Sequence, residues 1–259
     1  MAGCGTLTVI SDRKRIALSV SAIEYIRMNG RVIEIHVSGG HVYETHTPLG
    51  ELEQALGPGF IRIDRGCLVS TAAIHDITER VSLVSGETLE YSARRKAEII
   101  RQFETERQRL IASFAHSGAP ASAEEYHLHY ASFDAMPFAF ADIEMVFSDA
   151  QRAVDWIFRY GNPALAALEK LPLEQMIGNS FRSLFPNMSD KWLRVYERVA
   201  LFHETLDIID YSPEIDTHLK ITCFPTFEGH CGCILFPVDQ IAYVSGSSRE
   251  SVARYLGLL

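Results

Sequence analysis

The stretch Phe60–Ser70 carries the side chains best suited to recognising another molecule. Ile61 and Ile63 alternate with charged residues, a pattern that predicts a short strand with one apolar face buried. Arg65 and Gly66 then interrupt the alternation, which places a long cation and a flexible backbone at a turn. A cation at the tip of a strand-turn unit suits recognition of an acidic or polar partner better than catalysis or core packing.

Other basic residues cluster at predicted strand ends and turns of the first 113 residues. The clusters are Arg13-Lys14-Arg15, Arg27 with Arg31, Arg62 with Arg65, and Arg94-Arg95-Lys96. This part is neutral, with 14 Lys and Arg against 14 Asp and Glu, whereas the remainder has 10 against 19 and carries the whole net charge of -9. Clustered cations can give a neutral domain a locally positive face, as phosphate binding requires. For any single cluster, solvated charge at a loop tip is the simpler interpretation.

Length and composition indicate a folded protein of two domains. The chain has 259 residues, of which 47% are hydrophobic and 22% charged. No apolar run approaches the ~18 residues of a membrane span, and residues 1–8 lack the regions of a signal peptide. Five scattered cysteines, an odd number, indicate reduced thiols. We therefore expect a soluble cytoplasmic protein that does not bind a membrane.

The N-terminal part is predicted to be mainly β. Apolar and polar residues alternate in most segments of Thr6–Ser92, and Gly39 with Gly40 predicts a two-residue hairpin turn. One short helix interrupts the strands, with Thr47 as its N-cap and Pro48 as its first residue, and its apolar face consists of Leu49, Leu52 and Leu56.

A helical period follows between about residues 93 and 114. Its apolar stripe consists of Ile100, Phe103, Leu110 and Phe114. Such a stripe can pair with a second copy of itself or pack on its own domain, and the pattern favours neither.

The C-terminal part is predicted to be a small α+β domain that follows a linker at residues 117–122. Strands at residues 138–147 and 154–160 precede short helices and a longer helix that begins at Asp190. Three antiparallel strands follow, which favours a compact domain with a hollow on one face of its sheet.

Residues 6–103 resemble the LytTR DNA-binding domain of bacterial response regulators. The matching motifs are Ile23-Glu24-Tyr25-Ile26, the hairpin that begins at Arg31, Leu49-x-x-Leu52, Phe60-Ile61-Arg62-Ile63-x-Arg65-x-x-Leu68-Val69, Ile74 and Ser92-x-Arg94-Arg95. The chain departs from the family at Asp64, where a His is common, and at Ser70, where an Asn is common. Both positions bear on which DNA sequence is preferred.

This resemblance implies an elongated, largely β domain that binds duplex DNA through loops in the major groove. It places Arg31, Arg65 and Arg94 on separate loops as the principal DNA-binding residues. Arginine can bind guanine or phosphate with two hydrogen bonds, so these side chains can contact successive stretches of duplex. The candidates for contacts with the DNA backbone are Arg62, Arg95, Lys96 and Asn29. Each of these residues alone is equally well explained as solvated surface.

Residues 125–240 resemble a PAS domain. The matching features are Asn162 at the start of a helix, Ile177-Gly178-x-Ser180, Leu184-Phe185-Pro186, the longer helix and the final strands ending near Asp239. The resemblance implies a sensory or dimerising module that can hold a small molecule between its sheet and its helices. It identifies no cofactor.

Motifs for catalysis and metal binding are weak. The chain has no glycine-rich phosphate loop, GxSxG or HExxH, so we predict no enzyme and no catalytic residues. The one metal-like cluster is His230-Cys231-Gly232-Cys233, in which two cysteines of a strand would face the same side. Two soft ligands are one fewer than the three protein ligands of a catalytic zinc site. Buried small residues are the simpler interpretation, and no metal site is predicted.

We therefore predict a transcription regulator with a DNA-binding domain (residues 1–103), a connecting helix and linker (104–124), a PAS-like domain (125–240) and a tail (241–259). We expect it to bind double-stranded DNA as a homodimer on half-sites one or two helical turns apart, and to respond to a small molecule or a protein. The alternative is a protein-interaction regulator that sequesters another DNA-binding protein of the LytTR type and itself binds DNA weakly.

Overall fold

The computed structural model describes residues 5–11, 13–186, 190–213 and 215–238, without the side chains of residues 190 and 191. The chain divides into two units, Met1–Leu110 and Ile111–Leu259. The predicted tail at residues 241–259 lies outside the described residues. Among the described residues, no helix combines the length and the apolar character needed to cross a membrane.

The first unit is rich in antiparallel strands, as its alternating sequence predicts. Its strands are β1 (Thr6–Ser11), β2 (Lys14–Ser19), β3 (Ile23–Asn29), β4 (Val32–Val37), β5 (His41–Thr45), β6 (Phe60–Asp64), β7 (Cys67–Ser70), β8 (Ile74–Ile77), β9 (Val81–Leu83) and β10 (Thr88–Leu89). β1 and β2 form a hairpin, and β8 to β10 form a small sheet in the order β10-β9-β8. The other strands form a five-stranded sheet in the order β5-β4-β3-β7-β6.

Both faces of the five-stranded sheet are covered. Ile26 of β3 pairs with Leu68 of β7, and the neighbouring pair is Tyr25 with Val69. Successive residues of a strand point to opposite faces, so these two pairs lie on opposite sides of the sheet. Ile26 and Leu68 pack with residues of β1 and β2, whereas Tyr25 and Val69 pack with residues of β8 to β10. The sheet is therefore a rigid central layer whose turns emerge at its ends.

Two helices accompany these strands, α1 (Leu49–Leu56) and α2 (Lys96–Ser113). α1 follows Pro48 and ends at Gly57, whose φ of 69° favours glycine. Ile99 and Phe103 of α2 are buried in the core of the first unit. The predicted stripe was therefore wrong by one residue at its start, because Ile99 rather than Ile100 faces the core.

The second unit has a single five-stranded antiparallel sheet among its described residues. Its elements are α3 (Ala123–Tyr130), β11 (Ala139–Phe147), β12 (Ala153–Gly161), α4 (Pro163–Glu169), α5 (Leu173–Met176), α6 (Phe181–Leu184), α7 (Asp190–Phe202), β13 (Leu206–Ser212), β14 (Thr217–Pro225) and β15 (His230–Pro237). The strand order is β12-β11-β15-β14-β13. The paired first strands, the intervening helices and the final three strands agree with the sequence prediction of an α+β domain.

Helix α3 is absent from the sequence prediction, although its signal is present in the chain. Ser122 Oγ accepts a hydrogen bond from Glu125 N at 3.2 Å, and Glu125 Oε2 accepts one from Ala121 N at 2.7 Å. Reciprocal bonds of this kind are typical of a helix N-terminus with Ser followed three residues later by Glu.

Both faces of the second sheet are buried, and they differ in chemistry. The face that carries Ile143, Phe158 and the cysteines of β14 and β15 packs on the helices between β12 and β13. The opposite face carries Phe140 and Tyr160, which pack with Tyr126 and Tyr130 of α3. The first face is apolar and the second is aromatic with hydroxyl groups.

Candidate nucleic-acid interface

Three turns of the first unit meet at one end of the five-stranded sheet. Arg31 lies in the turn between β3 and β4, where Gly30 has a φ of 62°. Arg65 lies in the turn between β6 and β7, and the amide of Met28 donates a hydrogen bond to the carbonyl of Gly66 at 2.7 Å. That bond joins the first turn to the second.

The third basic segment follows β10 and is joined to the same end of the sheet. The amide of Ser92 donates a hydrogen bond to the carbonyl of Ile63 at 3.3 Å. Ile63 is the extra residue of a bulge in β6, one position before the Arg65 turn begins at Asp64. Ser92, two residues before Arg94, is therefore hydrogen-bonded to β6, the strand that leads into the Arg65 turn.

The principal arginines have exposed side chains. Within the described part of the chain, the side chains of Arg31, Arg65 and Arg94 make no hydrogen bond or ion pair, and all three residues are exposed. Guanidinium groups with no intramolecular partner retain their full hydrogen-bonding capacity for a ligand.

The Arg65 turn is held by its neighbours. Asp64 Oδ1 accepts a hydrogen bond from the amide of Gly66 at 2.6 Å, so the carboxylate beside Arg65 fixes the turn. Arg62 donates to the carbonyls of Asp64 at 3.2 Å and of Arg65 at 2.6 Å, and pairs with Glu53 at 2.8 Å. The structure thus places the Arg62 side chain against its own domain, where it braces the turn.

Asn29 is also engaged within the domain. It donates a hydrogen bond to Glu34 at 2.6 Å, and Arg27 donates one to the same carboxylate at 2.8 Å. These two bonds, in that order, lower the pKa of Glu34 to about 2. The charge of Arg27 is therefore matched by a neighbouring carboxylate, whereas no ion pair joins Arg31 to a carboxylate of the residues that the structure describes.

Arg95 and Lys96 form the junction with α2. The amide of Arg95 donates to the carbonyl of Ser92 at 2.8 Å, which closes the turn that leads into the helix. The Arg95 side chain lines a cleft of about 420 Å³ together with Arg62, Glu53 and Glu98. Lys96 is exposed at the first position of α2. Arg95 therefore shares this cleft with the carboxylates of Glu53 and Glu98 of its own domain.

Met28 is a residue at this edge that sequence reasoning missed. Its side chain is 50% exposed, between Arg27 and Asn29. Apolar side chains can contact the methyl group of thymine in the major groove. The sequence gives no signal for its exposure, because alternation places Met28 on the same face of β3 as the buried Ile26.

Comparison with protein families identifies a domain in this part of the chain. Residues 13–104 match the model of the LytTr DNA-binding domain. This confirms the resemblance for that part of the chain, which contains all the candidate residues named above. A solved structure that resembles the chain is the LytTr DNA-binding domain of a Bacillus cereus protein described as a methyl-accepting/DNA response regulator. It is 20% identical, with a TM-score of 0.34, and the match covers 39% of this chain and 97% of that one. No curated protein gives a significant match.

Outside the LytTR domain, the second unit contains a buried polar network. Asp142 is fully buried and accepts hydrogen bonds from Tyr130 Oη at 2.7 Å and Thr226 Oγ1 at 2.6 Å. His230 Nδ1 lies 2.7 Å from the other carboxylate oxygen. Burial, followed by the negative charge of Asp142, raises the pKa of Tyr130 well above its ordinary value.

A cavity of about 250 Å³ adjoins this network. Polar lining residues include Tyr126, Glu144, Arg159 and His230. Arg159 Nε donates a hydrogen bond to Glu144 Oε2 at 2.5 Å, so the cavity carries both signs of charge. Its size and lining suit a small polar molecule.

Proposed function

We propose that this protein is a transcription regulator whose LytTR domain binds duplex DNA through Arg31, Arg65 and Arg94. The observation that carries the proposal is the joining of their three segments by the Met28–Gly66 and Ser92–Ile63 backbone hydrogen bonds. Because these bonds bring the three segments to one end of a rigid sheet, one duplex can meet all of them.

Each principal arginine has the freedom that DNA contact requires. Arginine forms paired hydrogen bonds with guanine N7 and O6 or with phosphate, and each good base contact contributes about 1–3 kcal/mol of discrimination. We assign Arg65 to the central contact, since its turn is fixed by Asp64 and Arg62 while its side chain is exposed. A fixed backbone reduces the entropy that binding must remove.

The remaining candidates are assigned weaker or indirect roles. Lys96 is exposed and is proposed to contact phosphate. Asn29 and Arg95 are proposed to contact the DNA backbone more weakly. Asn29 is hydrogen-bonded to Glu34, and Arg95 lines a cleft that also contains glutamates. Arg62 is proposed to position the Arg65 turn rather than to contact DNA.

The second unit is proposed to be a PAS-like sensory domain. Two strands, several helices and three final strands follow one another as the resemblance implies. The buried Asn162 supports this layout: its side chain accepts hydrogen bonds from the amides of Phe140 and Leu165, each at 3.0 Å. The cavity beside His230 is the proposed place for a small polar signal molecule.

Genome-wide mapping of DNA bound by the intact protein identifies the duplex needed to test this function. Binding to that duplex is then measured across salt concentrations for the unsubstituted chain, Arg65→Ala and Arg152→Ala. Arg152 is an exposed arginine of the second unit and serves as the matched control. We expect Arg65→Ala to lose about 1–3 kcal/mol of specific binding, and Arg152→Ala to lose little.

The same experiment separates DNA binding from sequestration. A regulator that binds DNA directly shows affinity that falls steeply with salt. Negligible affinity for every mapped duplex at low salt contradicts the proposal and favours the sequestering alternative.

A further inference from the structure

Three cysteine side chains meet inside the second unit. Cys223 of β14 pairs directly with Cys233 of β15, and Cys231 lies two residues before Cys233. Residues two apart in a strand share a face, so all three thiols project to the same side of the sheet. The three Sγ atoms lie within 4.8 Å of one another, and those of Cys231 and Cys233 are 3.6 Å apart.

The site is enclosed and its thiols are free. Cys223 and Cys231 are fully buried and Cys233 is 3% exposed. All three belong to the apolar core that includes Tyr196 and Val199 of α7. A metal–sulfur bond of about 2.3 Å places the sulfurs of a three-coordinate site about 4 Å apart. The 3.6 Å distance between Cys231 and Cys233 is close to that value, and all three sulfurs lie within 4.8 Å of one another, so little rearrangement is needed to hold an ion.

The donor set selects the kind of ion. Thiolates are soft ligands that favour copper(I) and zinc over magnesium, calcium or manganese. Structural zinc sites are almost always four-coordinate. Among the described residues, the group of ligand-type side chains at this place consists of the three cysteines alone. Adjacent His230 faces the other side of the sheet, where it lies against Asp142.

We propose that Cys223, Cys231 and Cys233 form a three-coordinate thiolate site for one soft, monovalent metal ion with the chemistry of copper(I). The site lies in the second unit, on the face of its sheet opposite to that of His230.

The three thiols differ in the direction in which their pKa values are shifted. Burial raises the pKa of Cys231 and of Cys233 well above the ordinary thiol value. Hydrogen bonds from those two thiols lower the pKa of Cys223. Metal ions bind thiolates, so binding of the ion displaces the protons of the thiols.

The test titrates the intact, reduced protein with copper(I) under anaerobic conditions, in competition with a chromogenic copper(I) chelator. Cys4 lies outside the described residues and is replaced by Ser throughout. We expect one ion per chain. Replacement of any of the three cysteines by Ala should weaken binding by at least about tenfold, since even outer-shell changes at metal sites have effects of that size. Cys67→Ala removes a buried thiol of the first unit and is the matched control.

X-ray absorption of the unsubstituted copper-bound protein tests the geometry without relying on variants that fail to fold. Three sulfur neighbours at about 2.3 Å support the site. Two sulfur neighbours, absence of one-to-one binding, or an equal loss in Cys67→Ala overturns it.

Discussion

The amide of Met28 donates a 2.7 Å hydrogen bond to the carbonyl of Gly66, and this bond connects the two turns that carry Arg31 and Arg65. The bond continues the antiparallel pairing of β3 with β7, which ends at Arg27 and Cys67. Strand pairing therefore fixes the spacing of two cations that are far apart in sequence. Pairing of β3 and β7 is the structural basis of the proposed DNA-binding edge.

Variants of Arg62 and Glu53 test whether Arg62 positions the Arg65 turn or contacts DNA directly. If Arg62 braces the Arg65 turn through its 2.8 Å ion pair with Glu53, both Arg62→Ala and Glu53→Gln should weaken DNA binding severalfold. Removal of a carboxylate otherwise favours binding to a polyanion, so a loss in Glu53→Gln is diagnostic. The measurement is duplex affinity against salt concentration.

The salt dependence distinguishes the two roles of arginine. Arg62→Ala should leave the slope of log affinity against log salt unchanged, whereas loss of a phosphate contact reduces it by about 1. Equal or stronger binding by Glu53→Gln, together with a reduced slope for Arg62→Ala, would show that Arg62 contacts DNA itself.

Gly30 and Gly50 form a matched pair with opposite expected effects on stability. An added Cβ meets no atom within 4 Å at either position, so sterics with neighbours do not distinguish them. Gly30 has a φ of 62°, where a side chain costs about 1–2 kcal/mol, and Gly30→Ala should destabilise the first unit. Gly50 lies in α1, where alanine is favoured by about 0.5–1 kcal/mol.

Both effects are measured by urea unfolding of the intact chain, with hydrogen exchange at β3 and β4 as the report on the stability of the first unit. We expect destabilisation by Gly30→Ala and stabilisation by Gly50→Ala. The same sign for both variants would contradict the left-handed turn at Gly30.

Acidic pH should weaken the Asn29, Arg27 and Glu34 cluster. The pKa of Glu34 lies at about 2 in the folded chain, against an ordinary value of 4.5. A carboxyl whose folded pKa is depressed stabilises the fold above the ordinary value, and that contribution disappears as the pH falls through the folded value. We therefore expect the difference in unfolding free energy between the unsubstituted chain and Glu34→Gln to shrink from pH 4.5 towards pH 2.

Urea titrations of both proteins across this range provide the measurement. Glu34→Gln retains a hydrogen-bond acceptor but has no charge to lose, so it isolates the ionised carboxylate. A difference that stays constant from neutral to acidic pH would show that the charge does not stabilise the cluster.

Local elements of both units could be predicted from the sequence because each depends on nearby residues. Alternation predicted the strands, and the Gly39–Gly40 pair predicted the β4–β5 hairpin. A helix was predicted from Pro48, and the observed helix begins one residue later, at Leu49. The family match at residues 13–104 confirms the DNA-binding domain. The predicted roles of individual arginines remain predictions.

Contacts between distant strands could not be predicted in the same way. The pairing of β3 with β7 joins segments about forty residues apart, and no local pattern specifies it. The register of β14 against β15 likewise brings Cys223 beside Cys233, so two candidate soft ligands in sequence became three in the structure. Within β15, His230 and Cys231 are neighbours, and neighbouring residues of a strand face opposite sides of the sheet. His230 is therefore separated from the thiols.

Asp142 should be a strong determinant of stability in the second unit. Its carboxylate is fully buried and satisfies Tyr130, Thr226 and His230 at distances of 2.6 to 2.7 Å. Asp142→Ala removes both acceptor oxygens, which leaves the two hydroxyl donors and His230 without this partner in the interior. We expect a loss of about 3 kcal/mol or more, because breaking a buried charged network is far more costly than deleting one hydrogen bond.

Thr226→Val removes a single bond of this network at nearly constant volume and should cost only about 1 kcal/mol. Urea unfolding of the three proteins at neutral pH gives both values. If Asp142→Ala costs no more than Thr226→Val, the three hydrogen bonds do not act as one network, and the aromatic contacts of Tyr130 with Phe140 would then be the main support of α3 on the sheet.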